Sequence, residues 1–208
     1  MVRILVEGKE KVFIERYLEL RLKKQKDVDF EVVETGGWTS LHLLSPEIDG
    51  YTDSRDKICI IFDADTTVNN GGYAKRLAQI QKDISQIGTK LSKTLNIPIF
   101  LWPNNHDEGD FEYTLEEISN DSRKVVYECF NGYESCIKTG LDANRKKYIL
   151  PIRKSRIFAY IEILPESKKI KRSKEWKGGD FLFDNTDYWN LDSAYINPLR
   201  DFLIAIFT

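Results

Sequence analysis

The amino-acid sequence predicts an α/β fold: a mostly parallel sheet with helices on both faces, followed by a C-terminal extension that is helical and basic. Three observations carry this prediction. Val2–Val6, residues 58–62 and residues 97–102 are short apolar runs rich in β-branched or aromatic residues, as expected of strands buried on both faces of a parallel sheet. Between them lie stretches with helical spacing, clearest at Leu77, Ile80, Ile84, Ile87 and Leu91, so strands and helices alternate. Each of the three runs also leads into polar or acidic residues: Glu7-Gly8, Asp63-Ala64-Asp65, and the stretch 104–117. The carboxyl ends of parallel strands are where ligands bind in such sheets.

Taken in order, Val2–Val6 is the first strand and Gly8 permits an abrupt turn after it. Residues 9–24 then carry Val12, Phe13, Tyr17, Leu18, Leu20 and Leu22 at roughly helical spacing. Residues 29–34 read as a second strand and Thr35-Gly36-Gly37 as a hinge. Trp38–Leu44 reads as a helical turn or two, stopped near Pro46, and residues 49–56 as a polar loop. The central strand, 58–62, delivers the chain to Asp63 and Asp65, and residues 68–72 form a Gly-Gly loop. A long helix spans 73 to about 95 despite Gly88, and Pro98 opens the fourth strand. Residues 113–118 look helical, with Glu112 and Glu116 on one face and Phe111, Leu115 and Ile118 towards the core. Residues 119–208 form an extension packed on the 1–118 core. Helices are expected near 122–138 and 198–207, and residues 153–164 mix basic residues with Ile157, Phe158, Tyr160 and Ile161.

Composition narrows the possibilities. At 208 residues the chain is long enough for one sizeable core. No apolar run approaches the roughly 20 residues of a membrane span, and the start passes into a strand pattern without signal-peptide architecture. Cys59, Cys129 and Cys136 are odd in number and form no metal-type pair, which suits reduced thiols and a cytoplasmic location. The net charge of -2 gives no global attraction to nucleic acid, so a basic binding surface must be local. Basic residues cluster at 145–147, 153–156 and 168–177, with aromatics interleaved. Arg153, Lys154, Arg156, Lys171 and Arg172 are the candidate phosphate contacts; a solvated helix face is the plainer alternative.

Asp63 and Asp65, two apart where a strand leaves the core, share one side of an extended backbone. Carboxylates brought together repel unless a cation lies between them, and hard oxygen donors suit Mg2+ or Mn2+. Turn-forming or helix-capping aspartates would look the same, and Glu7 could simply cap the helix after it. His106 and Asp107 could bind a metal, but a lone His in a polar loop is more often a loop residue, and the pair stays outside the core site.

Taken together, Val6-Glu7-Gly8 at the end of the first strand and Asp63-Ala64-Asp65 at the end of a later one resemble the Toprim domain. That domain occurs in topoisomerases, bacterial primases and overcoming-lysogenization-defect nucleases. Gly109-Asp110-Phe111-Glu112 with Leu115 resembles the Gly-x-Leu-Glu element of the Toprim-related DUF3226 family. Here Phe111 replaces the usual Leu, and Asn104-Asn105 stand where a Pro-Asp or Pro-Asn pair is expected. Trp189-Asn-Leu-Asp192 and residues 198–202 also look like that family's ending.

The resemblance implies a Toprim, Rossmann-like sheet and a metal-dependent nuclease. It implies that Glu7 is general acid or base, that Asp63 and Asp65 are metal ligands, and that Glu112 is a further ligand or base. One or two ions, Mg2+ or Mn2+, would be bound by Glu7, Asp63, Asp65 and Glu112 together. The expected partners are DNA or RNA and an ATPase encoded nearby, and a small stand-alone effector in phage defence fits the chain length. Two other functions remain open on the sequence. Asp63-x-Asp65-x-Thr67 also satisfies the first motif of haloacid-dehalogenase-like phosphatases, and a non-catalytic metal-binding regulatory subunit would carry the same acids.

Overall fold

Four parallel strands position everything that follows. In the computed structural model, which describes residues 1–22, 29–164 and 181–208, these are β1 (Val2–Val6), β2 (Phe30–Glu34), β3 (Lys57–Asp63) and β4 (Ile99–Trp102). The sheet order is β2-β1-β3-β4, and all three pairings are parallel. The helices are α1 (Glu10–Tyr17), α2 (Ser45–Asp53), α3 (Tyr73–Leu91), α4 (Phe111–Ile118), α5 (Val125–Thr139), α6 (Arg153–Glu162) and α7 (Asn197–Phe207). The basic stretch 168–177, with Lys171 and Arg172, lies outside the described residues.

Alternate strand residues feed two cores, because successive side chains leave opposite faces of a strand. Ile4, Val6, Cys59, Ile61, Phe100 and Trp102 join the core built with α1, α4, α6 and α7. Leu5, Ile58, Ile60, Phe62 and Leu101 join the core that receives Ile48 of α2 and Ile80, Ile84 and Ile87 of α3. Helices therefore cover both faces, and unbroken apolar runs are what such strands require. Tyr127, Tyr160, Trp189 and Leu203 of the C-terminal segment lie in the first core beside Phe13 and Trp102. Trp189 donates its indole N–H to the carbonyl of Phe181 at 2.8 Å, and Tyr160 donates to the carbonyl of Tyr188 at 2.6 Å. Among the described residues no helix is long and apolar enough to cross a membrane.

The connections leave β1 and β3 in opposite directions. From β1 the chain crosses through α1 to β2; from β3 it crosses through α3 to β4, on the other side. The crevice between the ends of β1 and β3 is thus the topological switch point, where α/β sheets of this kind hold their ligands.

Some local expectations are corrected. Residues 45–53, read as a stop and then a loop, form α2. Pro46 occupies its first turn, where the missing N–H costs nothing, and Ile48 is fully buried. The first helix is α-helical only to Tyr17 and continues as a π-turn over Leu18–Leu22. Helix α3 stops at Leu91, where Ser92 turns left-handed (φ 54°) and Lys93 donates its N–H back to the Gly88 carbonyl at 2.9 Å. Gly88 permits that return, because a Cβ there would lie 2.7 Å from the Lys93 carbonyl oxygen.

Candidate functional site

The switch point is acidic. Glu7 is the first residue past β1, and its Oε1 accepts the backbone N–H of Asp63 at 3.0 Å. Asp63 ends β3, and its Oδ1 accepts the N–H of Phe111, the first residue of α4, at 2.9 Å. Helix α4 thus aims its N-terminus at Asp63, where its unpaired N–H groups favour negative charge. Asp110 caps that helix by accepting the Tyr113 N–H. Glu112, in the first turn, takes an ion pair from Lys154 of α6 at 3.1 Å.

Sequence reasoning missed a fifth acid. Glu10 opens α1, is only 8% exposed, and accepts the Gly8 N–H at 3.0 Å. The available signal was its spacing, three residues after Glu7, where the first turn of a helix curls back towards the strand end.

Glu7, Glu10, Asp63 and Glu112 line one cleft of about 320 Å3, together with Lys9 and Lys154. Burial and crowding oppose ionisation here. Burial raises Glu7 from 4.5 to about 7, helped by the charges of Glu10 and Asp65. Burial pushes Asp63 well above the usual carboxylate range, with Glu7, Glu10 and Glu112 adding to the effect. Glu10 is raised chiefly by burial as well, and Asp110 reaches about 6 through burial and Glu112. Burial works against the charge on Lys154, yet the pull of Glu112, Asp63 and Glu10 leaves its pKa raised. A larger hollow of about 740 Å3 runs along α3 and holds none of these acids.

Asp65 goes elsewhere. The expectation that it shares one side of an extended chain with Asp63 fails, because Asp65 adopts a left-handed backbone (φ 55°) and does not line the cleft. Its carbonyl accepts the Gly109 N–H at 2.9 Å, and its Oδ2 is bound by Arg76 of α3. Gly71 packs so closely that a Cβ there would lie 2.3 Å from the Asp65 Cβ. Arg76 is only 3% exposed and stacks on Trp38, its guanidinium carbon 4.0 Å from the ring centre.

The basic cluster of α6 is also largely paired within the chain. Arg153 and Arg156 both reach Glu116 Oε1, at 3.0 and 2.8 Å. Arg156 continues to Asn131 and Glu134 of α5, and Arg153 stacks on Tyr113. Of the three candidate phosphate contacts described, Lys154 alone lines the cleft. His106 and Asp107 pair with each other in an exposed loop.

An all-carboxylate donor set matches hard divalent cations such as Mg2+ and Mn2+. Among the described residues, no three Asp, Glu, His or Cys side chains stand together as a ready-made metal site. Glu7 and Asp63 each commit one oxygen to a backbone N–H and keep the second for another partner.

A fully parallel β2-β1-β3-β4 sheet, with carboxylates at the two strand ends flanking its switch point, defines an α/β protein with an acidic carboxyl-edge site. The chain belongs to the DUF3226 family, described as a protein of unknown function, whose family model matches residues 1–208. No curated protein and no solved structure matches it.

Proposed function

We propose that this protein is a small Toprim-like nuclease that cleaves nucleic-acid phosphodiester bonds with Mg2+ or Mn2+. The observation that supports this most is the pairing of Glu7 with Asp63 across the switch point, where burial and neighbouring acids resist ionisation of both groups. Such a site gains from added positive charge. Asp63 and Glu112, with Glu10 beside them, would hold the ion. When bound, the ion supplies positive charge against the scissile phosphate and a water of lowered pKa. Glu7, whose carboxyl burial raises in the metal-free site, would take or deliver the proton beside the ion. Lys154 stands beside Glu112 and offers a cation to a phosphate oxygen. Asp65, tied to Arg76, contributes charge and holds the loop after β3. Dependence on an ATPase encoded nearby and a part in phage defence belong to the same proposal.

The phosphatase alternative needs Asp65 as acid and base, and its bond to a buried guanidinium weighs against that role. The test is incubation of plasmid DNA, single-stranded DNA and structured RNA with the wild type and Asp63→Asn, with each metal. Metal-dependent cutting of at least one substrate by the wild type, and not by Asp63→Asn, is expected. If all three stay intact, even with the neighbouring gene product added, the nuclease proposal fails; phosphate release from small phosphomonoesters would put the phosphatase in its place.

A further inference from the structure

Strand β4 lies at one margin of the sheet, and its outer edge is only partly closed. The Pro98 carbonyl accepts the Ile60 N–H at 2.9 Å, and the Trp102 carbonyl accepts the Ala64 N–H at 3.2 Å. The even-numbered residues of this stretch therefore aim their backbone groups at β3, and alternation turns those of the odd-numbered residues outwards. At Leu101 the outward groups are plugged by Asn105, whose N–H donates to the Leu101 carbonyl at 2.7 Å. The Asn105 Oδ1 accepts the Leu101 N–H at 3.0 Å. Ile97 and Ile99 have no such cap among the described residues. Ile97 is held extended by the proline after it, so both present a free N–H and a free carbonyl. An open edge of this kind accepts another strand.

The surface beside the edge suits a copy of itself. The hollow of about 740 Å3 along α3 runs up to Ile97, Pro98 and Ile99, with Leu77, Ile84 and Leu95 also on its walls. In a chain that is 31% charged, the one charged residue lining this hollow is Lys93, which is already paired with Asp49 and Asp53. A two-fold contact sets every charge near its own image, so a lining without unpaired charge is what self-association requires. The backbone pattern is self-complementary as well. In an antiparallel pair centred on Pro98, Ile97 of each copy lies opposite Ile99 of the other, and each such couple exchanges two N–H···O bonds. Pro98, with no N–H to give, falls on the axis at a position that forms no inter-strand bond, and it is exposed. Asn105 fixes this register by closing the edge at Leu101.

From this juxtaposition we infer that the free edge of β4 pairs with β4 of a second copy, antiparallel about Pro98, joining two four-stranded sheets into one. The inference is independent of the nuclease proposal. Because the paired strands run in opposite directions, the two acidic crevices open at opposite ends of the joined sheet.

The experiment is sedimentation velocity over a wide range of concentration, joined to amide exchange. Wild type should run as a dimer that dissociates on dilution. The Ile97 and Ile99 amides should be protected in the dimer and lose that protection as it dissociates. Pro98→Glu sets two carboxylates opposite each other on the axis, and the N–H it introduces faces β3 rather than the seam. It should weaken the dimer about fivefold or more, as should Pro98→Lys, because like charges directly opposite are destabilising. An equimolar mixture of the two variants should regain the lost affinity, and thermal unfolding confirms that both fold. A wild type that stays monomeric, or a dimer whose Ile97 and Ile99 amides exchange freely, overturns the inference. So do Pro98 variants that associate like the wild type, or a mixture that recovers nothing.

Discussion

Replacing Glu7 with glutamine should stabilise the metal-free protein. Glu7 carries a carboxyl raised from 4.5 to about 7, with burial as the largest cause. A group whose folded-state pKa is raised contributes stability that is fully present below the unfolded value. That contribution is lost as pH rises through the folded value, so the window runs from about 4.5 to about 7. Above it, holding Glu7 ionised costs about 3 kcal/mol, part of it shared with the coupled Asp63. Glutamine keeps the Oε1 acceptor for the Asp63 N–H and never carries the charge. In a domain of this size about 3 kcal/mol corresponds to a rise in Tm of roughly 6–12 °C. The assay is thermal unfolding in EDTA from pH 4 to pH 8.5. Wild type and Glu7→Gln should coincide at the acid end and separate progressively through the window, the variant being the more stable at pH 8. A Glu7→Gln protein no more stable than wild type at pH 8 would refute the reasoning.

Asp65→Asn should act mainly on stability, because it leaves the Arg76 guanidinium buried without its counter-charge. A loss of about 3 kcal/mol is expected in urea unfolding, and Asp65→Asn combined with Arg76→Met should recover part of it. Glu116→Ala removes the carboxylate that both Arg153 and Arg156 grip. It should loosen α6 from α4, lowering stability by about 3 kcal/mol and speeding amide exchange in α6.

The strands were legible because parallel sheets demand unbroken apolar runs, and Val2–Val6 matches its strand end for end. The placing of Glu7 beside Asp63 was legible for the same reason: Glu7 follows β1 immediately, Asp63 ends β3, and the two strands are neighbours. Helix α2 was hidden because Pro46 reads equally as a helix stop or a first-turn residue, and the burial of Ile48 decides between them only in three dimensions. The divergence of Asp65 from Asp63 depends on one left-handed residue, whose close approach to Gly71 only a residue without a side chain allows. Nothing in the local pattern announces that. Arg76 lies eleven residues on, within an amphipathic helix, and only the packing of Trp38 and Asp65 around it shows its role. The basic run 153–156 looked like a phosphate track because its acidic partners, Glu112 and Glu116, lie about 40 residues away in sequence.

The central claim is that the crevice between β1 and β3 is built to take a divalent cation. Calorimetric titration of Mn2+ into the EDTA-treated and desalted protein tests it most directly, with wild type, Asp63→Asn and Glu7→Gln compared at pH 7.5. Wild type and Glu7→Gln should bind the ion and release heat, whereas Asp63→Asn should lose binding while remaining folded. Absence of binding in the wild type, or binding that Asp63→Asn leaves unchanged, would contradict it.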